Sequence, residues 1–311
     1  MMINASTLLL IAGIGLNVSF TSPPKDPLNP KKSVIPTHFF KNNLSLRNAW
    51  IKTKYNFQKH RPRIVPLLSD TGVWQLTFED DFDTLNLSKW RRGQAWGEFH
   101  PEHPHQYYSS DMIKTKDGLL YLGGQYKPKT FKSADSSISI PFAIGLINSD
   151  ISFQQKYGYF EIRSKNPKGP ATWPAFWLTG ATKWPPEIDI FEMYGRKSGK
   201  NINNQYATIH YGKSGSHSRG FLSKKVNLPN NTDTAFHVYG CEWTPQAIKF
   251  FTDGRLIAFV KVNKRLRAWM DEPMVIILNN AFDEAYLQYL KPYEAVKNEF
   301  VVDWIRVYKR R

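Results

Sequence analysis

Three carboxylates fall close together in Glu187-Ile188-Asp189-Ile190-Phe191-Glu192, interleaved with residues that favour strands. On a strand, successive side chains alternate faces, so Glu187 and Asp189 point one way while Ile188 and Ile190 point the other. Glu192 has the wrong parity. It joins the acidic face if one extra residue is inserted between Asp189 and Glu192, which is the effect of a β-bulge. Like charges held close raise one another's pKa. Two carboxylates of different protonation are the equipment for breaking a glycosidic bond: one attacks the anomeric carbon or activates water, and the other protonates the leaving oxygen. A third acid between them holds a proton, orients the nucleophile and keeps the two pKa values apart. The same pattern also suits an acidic edge strand or a calcium site, although oxygen-rich metal loops carry Gly, Asn and Asp rather than Ile-Phe.

The surrounding chain must place these acids. Trp184-Pro185-Pro186 stops the preceding loop. From Val73 onward, short runs of Val, Ile, Phe, Tyr and Trp recur between Gly, Pro, Asn and Asp, as in Trp74–Phe78, Leu119–Leu122, Gly158–Arg163, Tyr206–His210, Ile248–Thr252 and Val301–Tyr308. Asp253-Gly254 reads as a hairpin turn. Helical periodicity is nearly absent, Val262 to Met270 being the best stretch. Many short strands without helices predict a sandwich or barrel.

Residues 71–311 therefore read as one all-β domain. Residues 23–70 read as a basic, proline-containing linker, with some apolar content from Phe39 to Phe57. Residues 1–22 hold a short apolar stretch, Leu8 to Leu16, of a length that suits a signal-peptide core and is too short to span a bilayer. The net charge of +16 looks at first like a nucleic-acid footprint, but half of it lies before residue 71, where ten bases face two acids. The rest is spread thinly enough to be a solvated surface, so no nucleic-acid partner is expected. One cysteine, Cys241, cannot form an intramolecular disulfide or a cysteine zinc cluster.

Glu187-Ile188-Asp189-Ile190-Phe191-Glu192 resembles the bulged Glu-x-Asp-x-x-Glu motif of glycoside hydrolase family 16. Other segments agree in order. Phe78–Asp83 with Leu87–Trp90 resembles the family's opening strand. Tyr157–Arg163 and Thr172–Leu178 resemble the pair before the catalytic strand, and Phe236–Tyr239, Glu242–Pro245 and Val302–Tyr308 resemble later strands. The resemblance implies a jelly-roll β-sandwich of two antiparallel sheets with a concave substrate cleft, and endo-acting, retaining hydrolysis of a β-linked polysaccharide. It assigns Glu187 as nucleophile, Glu192 as general acid/base and Asp189 as the assisting acid. The bulged form points to the laminarinase-like group and the marine galactanases.

Sugar rings present apolar faces to flat aromatics. Trp173, Trp177 and Trp184 flank the catalytic strand, Trp96 and Tyr108 lie in expected loops, and each is a candidate stacking residue; Trp90 and Trp304 are assigned to the core. By resemblance, His210 stands on the strand beside the acids, and Asn279-Asn280, following the apolar strand Val275–Leu278, sits where family members have cleft-facing amides. Around His103, His105 and Gln106 the laminarinase pattern survives only as Gln106-Tyr107-Tyr108, and Ala281–Glu284 replaces a Gly-Gly-x-Trp-x-Gly segment.

The first expectation is an exported, monomeric β-1,3-glucan hydrolase that needs no cofactor for catalysis. The alternative is a hydrolase of an anionic galactan of carrageenan or agar type, motivated by these departures and by Arg91, Arg92, Arg196 and Lys197, since arginine forks suit sulfate or carboxylate groups. A non-catalytic carbohydrate-binding jelly roll is the rival class. By resemblance alone, a structural calcium would use Asp303 and early-strand acids such as Asp80.

Overall fold

A computed structural model describes residues 74–311, except 100–102, 133–135, 200–202, 213–218 and 229–231. The apolar stretch at 1–22 and the basic segment 23–70 lie outside the described residues. Chain order gives β1 (Trp74–Asp80), β2 (Arg91–Arg92), β3 (Gln106–Tyr108), β4 (Ile113–Lys116), β5 (Leu119–Lys132), β6 (Ser137–Ile144), β7 (Leu146–Asn148) and β8 (Gly158–Lys165). Then follow β9 (Thr172–Gly180), β10 (Glu187–Met193), β11 (Asn204–Gly212), β12 (Arg219–Asn227), β13 (His237–Trp243), β14 (Ala247–Thr252) and β15 (Arg255–Lys261). Among the described residues a single short α-helix, α1 (Lys264–Trp269), precedes β16 (Met274–Phe282) and β17 (Lys297–Arg310).

The strands form two sheets. One runs β12-β11-β10-β9-β16-β7-β2, with β10 near its middle. The other runs β15-β14-β13-β8-β17-β5-β6-β3, with β1 on β17 and β4 on β5. Pairing is antiparallel except between β3 and β6. In the second sheet β13-β14-β15 and β4-β5-β6 run as consecutive neighbours, while β13-β8, β8-β17, β17-β5 and β1-β17 join strands distant in sequence, which is the crossing connectivity of a jelly roll.

Period-two alternation builds the layer between the sheets. Phe160 and Ile162 of β8, Phe176 and Leu178 of β9, Ile188 of β10, Ile276 and Leu278 of β16, and Ile305 and Val307 of β17 meet in one fully buried cluster. Each such side chain contributes about 1.5–3 kcal/mol by leaving water. Cys241 lies buried in the same layer, so the lone thiol packs as a small apolar group. Trp90 is in this core, with its indole N–H donating to Asp80 at 2.9 Å. Trp304 is equally buried but belongs to a separate cluster with Val238, where the Arg306 guanidinium covers its ring.

Local signals held where backbone chemistry was at stake. Asp253 and Gly254 both adopt positive φ, 50° and 76°, and join β14 to β15 as a two-residue hairpin. The weak periodicity of 262–270 gives only the six residues of α1, capped by Asn263 accepting from the Leu266 N–H at 2.8 Å and anchored by buried Leu266. Strand β5 extends well past Leu122 and carries Pro128 in its interior, which is tolerated because the register with β6 slips between Tyr126 and Lys129. Among the described residues no helix is long and apolar enough to cross a membrane.

Candidate active site

The expected bulge is present. Strand β10 pairs Asp189 with Thr208 and Glu192 with Tyr206 on β11, so two residues oppose the single Ala207. On the β9 side the register slips between Asp189 and Phe191. Ile190 and Phe191 are consequently both fully buried, and Glu192 returns to the face shared by Glu187 and Asp189. That face forms the floor of an open cleft of about 1330 Å³.

Each acid has its own set of neighbours. Glu187 Oε2 accepts the Trp184 indole N–H at 2.8 Å, and its Oε1 lies 3.5 Å from His210 Nε2. The same His210 nitrogen is 3.2 Å from Asp189 Oδ2. Glu192 Oε1 accepts from Trp173 Nε1 at 2.9 Å and from the Tyr194 hydroxyl at 2.7 Å. Trp177 donates its indole N–H to Asn279 Oδ1 at 2.7 Å. Trp173, Trp177 and Trp184 thus hold the site through N–H donation as well as presenting rings to the cleft.

Burial, and then the charge of Asp189, pushes the Glu187 carboxyl well above the usual range, while His210 and the Trp184 N–H pull the other way. Burial followed by the charge of Glu192 raises Asp189 strongly. Burial raises Glu192 as well, opposed by its hydrogen bonds from Tyr194 and Trp173 and by the charge of His210. Three carboxylates so placed do not all ionise near neutral pH. The cluster retains a proton to give and ionised oxygens to attack or accept, which is the acid–base asymmetry that glycosidic cleavage uses.

The remaining sequence candidates separate. Trp96, Tyr108, His210 and Asn279 line the cleft; Trp96 is exposed, and Tyr108 sits on β3 rather than in a loop. Asn280 points the other way, donating to the Leu122 carbonyl at 3.0 Å and to Asn298 at 2.7 Å. His103 and Gln106 line the cleft, whereas His105 is buried with Nε2 2.9 Å from the Phe282 carbonyl. Arg91 is not among the lining residues. Its Nε donates to both oxygens of Asp150 at 2.9 Å, and Asp150 faces the cleft. Arg196 lines the cleft and donates to the Tyr206 hydroxyl at 2.7 Å, and Lys197 lies over the Tyr289 ring. The sequence reading did not single out Tyr194, Asn148 or Tyr206. Tyr194 was within reach, since it follows Glu192 by two and so shares its face.

Asp303 forms a buried ion pair with Arg163, and the two Asp80 oxygens accept from the Phe82 and Trp90 N–H groups, both at 2.9 Å. With a guanidinium on one acid and N–H donors on both oxygens of the other, these residues as placed do not fit a calcium ion. Donor atoms of Glu187, Asp189 and His210 lie within 4.8 Å of one another, close enough for a cation, but these are the groups that form the proton-handling cluster.

The sequence profile described as the beta-porphyranase A–D GH16 domain matches residues 73–310. The chain belongs to glycoside hydrolase family 16. This family 16 chain is 31% identical over 237 residues to the endo-1,3-1,4-beta-glycanase EglC of Rhizobium meliloti, covering 69% of the chain and 48% of EglC. It is 31% identical over 264 residues to a beta-glucanase of Rhodothermus marinus, covering 76% and 85%. The catalytic domain of an endo-1,3-beta-glucanase (laminarinase) from Thermotoga petrophila shares the fold, with a TM-score of 0.62 at 24% identity over 78% of this chain and 100% of that one. The chain spans about half the length of the Rhizobium glycanases it matches.

Proposed function

We propose that this chain is an endo-acting, retaining glycoside hydrolase that cuts internal β-linkages of a polysaccharide. The observation that carries the reading is the bulge that turns three acids, each with different donors, onto one cleft floor. Glu187 attacks the anomeric carbon while Glu192 gives its proton to the departing glycosidic oxygen, leaving a glycosyl ester on Glu187. Glu192, now ionised, takes a proton from water as that water attacks the same carbon, and the Glu187 carboxylate is released. Asp189 lies between them and limits the charge of the cluster. An open cleft of this volume takes several sugar rings, which suits internal cleavage. Trp173, Trp177, Trp184, Trp96 and Tyr108 supply flat surfaces along it. A purely sugar-binding jelly roll has no use for the buried acids. Release of reducing ends by the wild type, lost in Glu187→Gln and Glu192→Gln variants that still fold, tests the assignment; undiminished hydrolysis by either variant rejects it.

The substrate favoured by the relatives' names is a β-1,3-glucan. A second reading, a sulfated galactan, is supported by Arg196 in the cleft wall and by the porphyranase description of the matching domain. A guanidinium suits a sulfate group, which a neutral glucan lacks. Laminarin, agarose, carrageenan and porphyran assayed side by side separate the two. Activity confined to sulfated polymers overturns the glucan reading. The enzyme is further read as an exported monomer, because long polysaccharides do not enter cells intact; fractionation of the producing cells and light scattering check those two points.

A further inference from the structure

Glu192 receives two donors on a single oxygen. The Tyr194 hydroxyl reaches Oε1 at 2.7 Å, and Trp173 Nε1 on the neighbouring strand reaches the same atom at 2.9 Å. A carboxylate oxygen has two lone pairs, so both on Oε1 are engaged. The phenol is held in place from two sides. Its ring stacks on Trp173 at 5.4 Å and 29°, and it meets the Tyr206 ring edge-on at 5.3 Å and 83°. Tyr206 in turn accepts from Arg196 Nη2 at 2.7 Å.

We propose that Tyr194 is a positioning residue for the acid/base: with Trp173 it fills Oε1 of Glu192, confines the transferable proton to Oε2, and favours the ionised form that accepts a proton in the second step. The inference rests on the hydrolase reading above and adds to it the control of one residue's proton. Donors to an ionised oxygen oppose the desolvation that raises Glu192. The other titratable or charged groups around this acid are Glu187 and Asp189 on β10, His210 and Tyr206 on β11, Arg196 beyond the strand, Asp283 after β16, and His103 against the Trp173 ring. A Tyr194→Phe change leaves all of them in place and keeps the ring.

The test is the pH dependence of kcat/KM for reducing-end release, on whichever of laminarin or porphyran the wild type cleaves. In Tyr194→Phe, Glu192 holds its proton to higher pH, so the alkaline limb moves up by about one pH unit. Trp173→Phe, which removes the other donor, moves the same limb in the same direction. A limb at the wild-type position in folded Tyr194→Phe overturns the proposal; if that variant fails to fold, an unmoved limb in Trp173→Phe does so. Glu192→Gln separates this failure from failure of the reading beneath it. An inactive Glu192→Gln beside an unmoved limb removes only the role of Tyr194, whereas a fully active one removes the acid/base assignment itself.

Discussion

Trp184 offers a way to move the proton of the proposed nucleophile, Glu187, without touching that residue. Its indole N–H donates to Glu187 Oε2 at 2.8 Å, and Trp184→Phe deletes that donor while keeping an aromatic face. A hydrogen bond to a charged acceptor contributes about 1.5–3 kcal/mol in a sheltered site. Trp184 is 39% exposed, so water refills the vacated position in part. Roughly 1 kcal/mol of preference for the ionised form is then lost, which is about 0.7 of a pKa unit. The direction follows from chemistry: Glu187 attacks only when ionised, and losing a donor to the carboxylate raises its pKa further. The acid limb of kcat/KM therefore moves up by about 0.7 pH units, and rates well below the limb fall about fivefold. Initial rates of reducing-end release at low substrate, followed from acid to alkaline pH, give the measurement. The limb is a property of the coupled acids, but the sign survives because the indole N–H donates to Glu187, the acid that must ionise. An acid limb that stays put or moves down would refute the reasoning.

Other consequences follow from the same geometry. Glu187→Gln and Glu192→Gln should each lower kcat by about 10³-fold or more, measured on the same polymer. Asp189 is buried with its carboxyl raised by desolvation and then by Glu192, so the folded chain holds a proton that the unfolded chain releases above its ordinary pKa of about 3.9. Stability is thus lost as pH rises through and above that value. Asp189→Asn should raise the Tm at pH 7 by about 3 °C for each kcal/mol recovered, with the gain gone below about pH 4. A lower Tm at pH 7 than the wild type would contradict this. Ile188→Ala, on the opposite face of β10, should cost about 2–4 kcal/mol of stability in calorimetry yet leave both limbs of the pH profile unmoved.

Legibility differed sharply between the backbone and the cleft wall. Parity meant that residues 187, 189 and 192 could share a face only through a bulge, and the inward turn of both Ile190 and Phe191 is how the chain makes it. The Asp253-Gly254 hairpin was readable because positive φ selects those residues. Trp173 and Trp177 were placed on one face by their spacing, and they line the same cleft. What spacing could not supply was the partner of each side chain. That Arg91 is spent on Asp150, that Asn279 is held by Trp177 while Asn280 turns to Leu122, and that Asp303 faces Arg163 all depend on strands distant in sequence. Tyr194 is the intermediate case, with a face fixed by parity and a bond to Glu192 that only the folded geometry discloses.

Proton NMR of the first products tests the central assignment most directly. If Glu187 forms a glycosyl ester and Glu192 then delivers water to the same face, the new reducing end first appears as the β-anomer, with the α signal growing only as mutarotation proceeds. Early appearance of the α-anomer would mean single displacement by water, and the pairing of Glu187 as nucleophile with Glu192 as acid/base would be wrong.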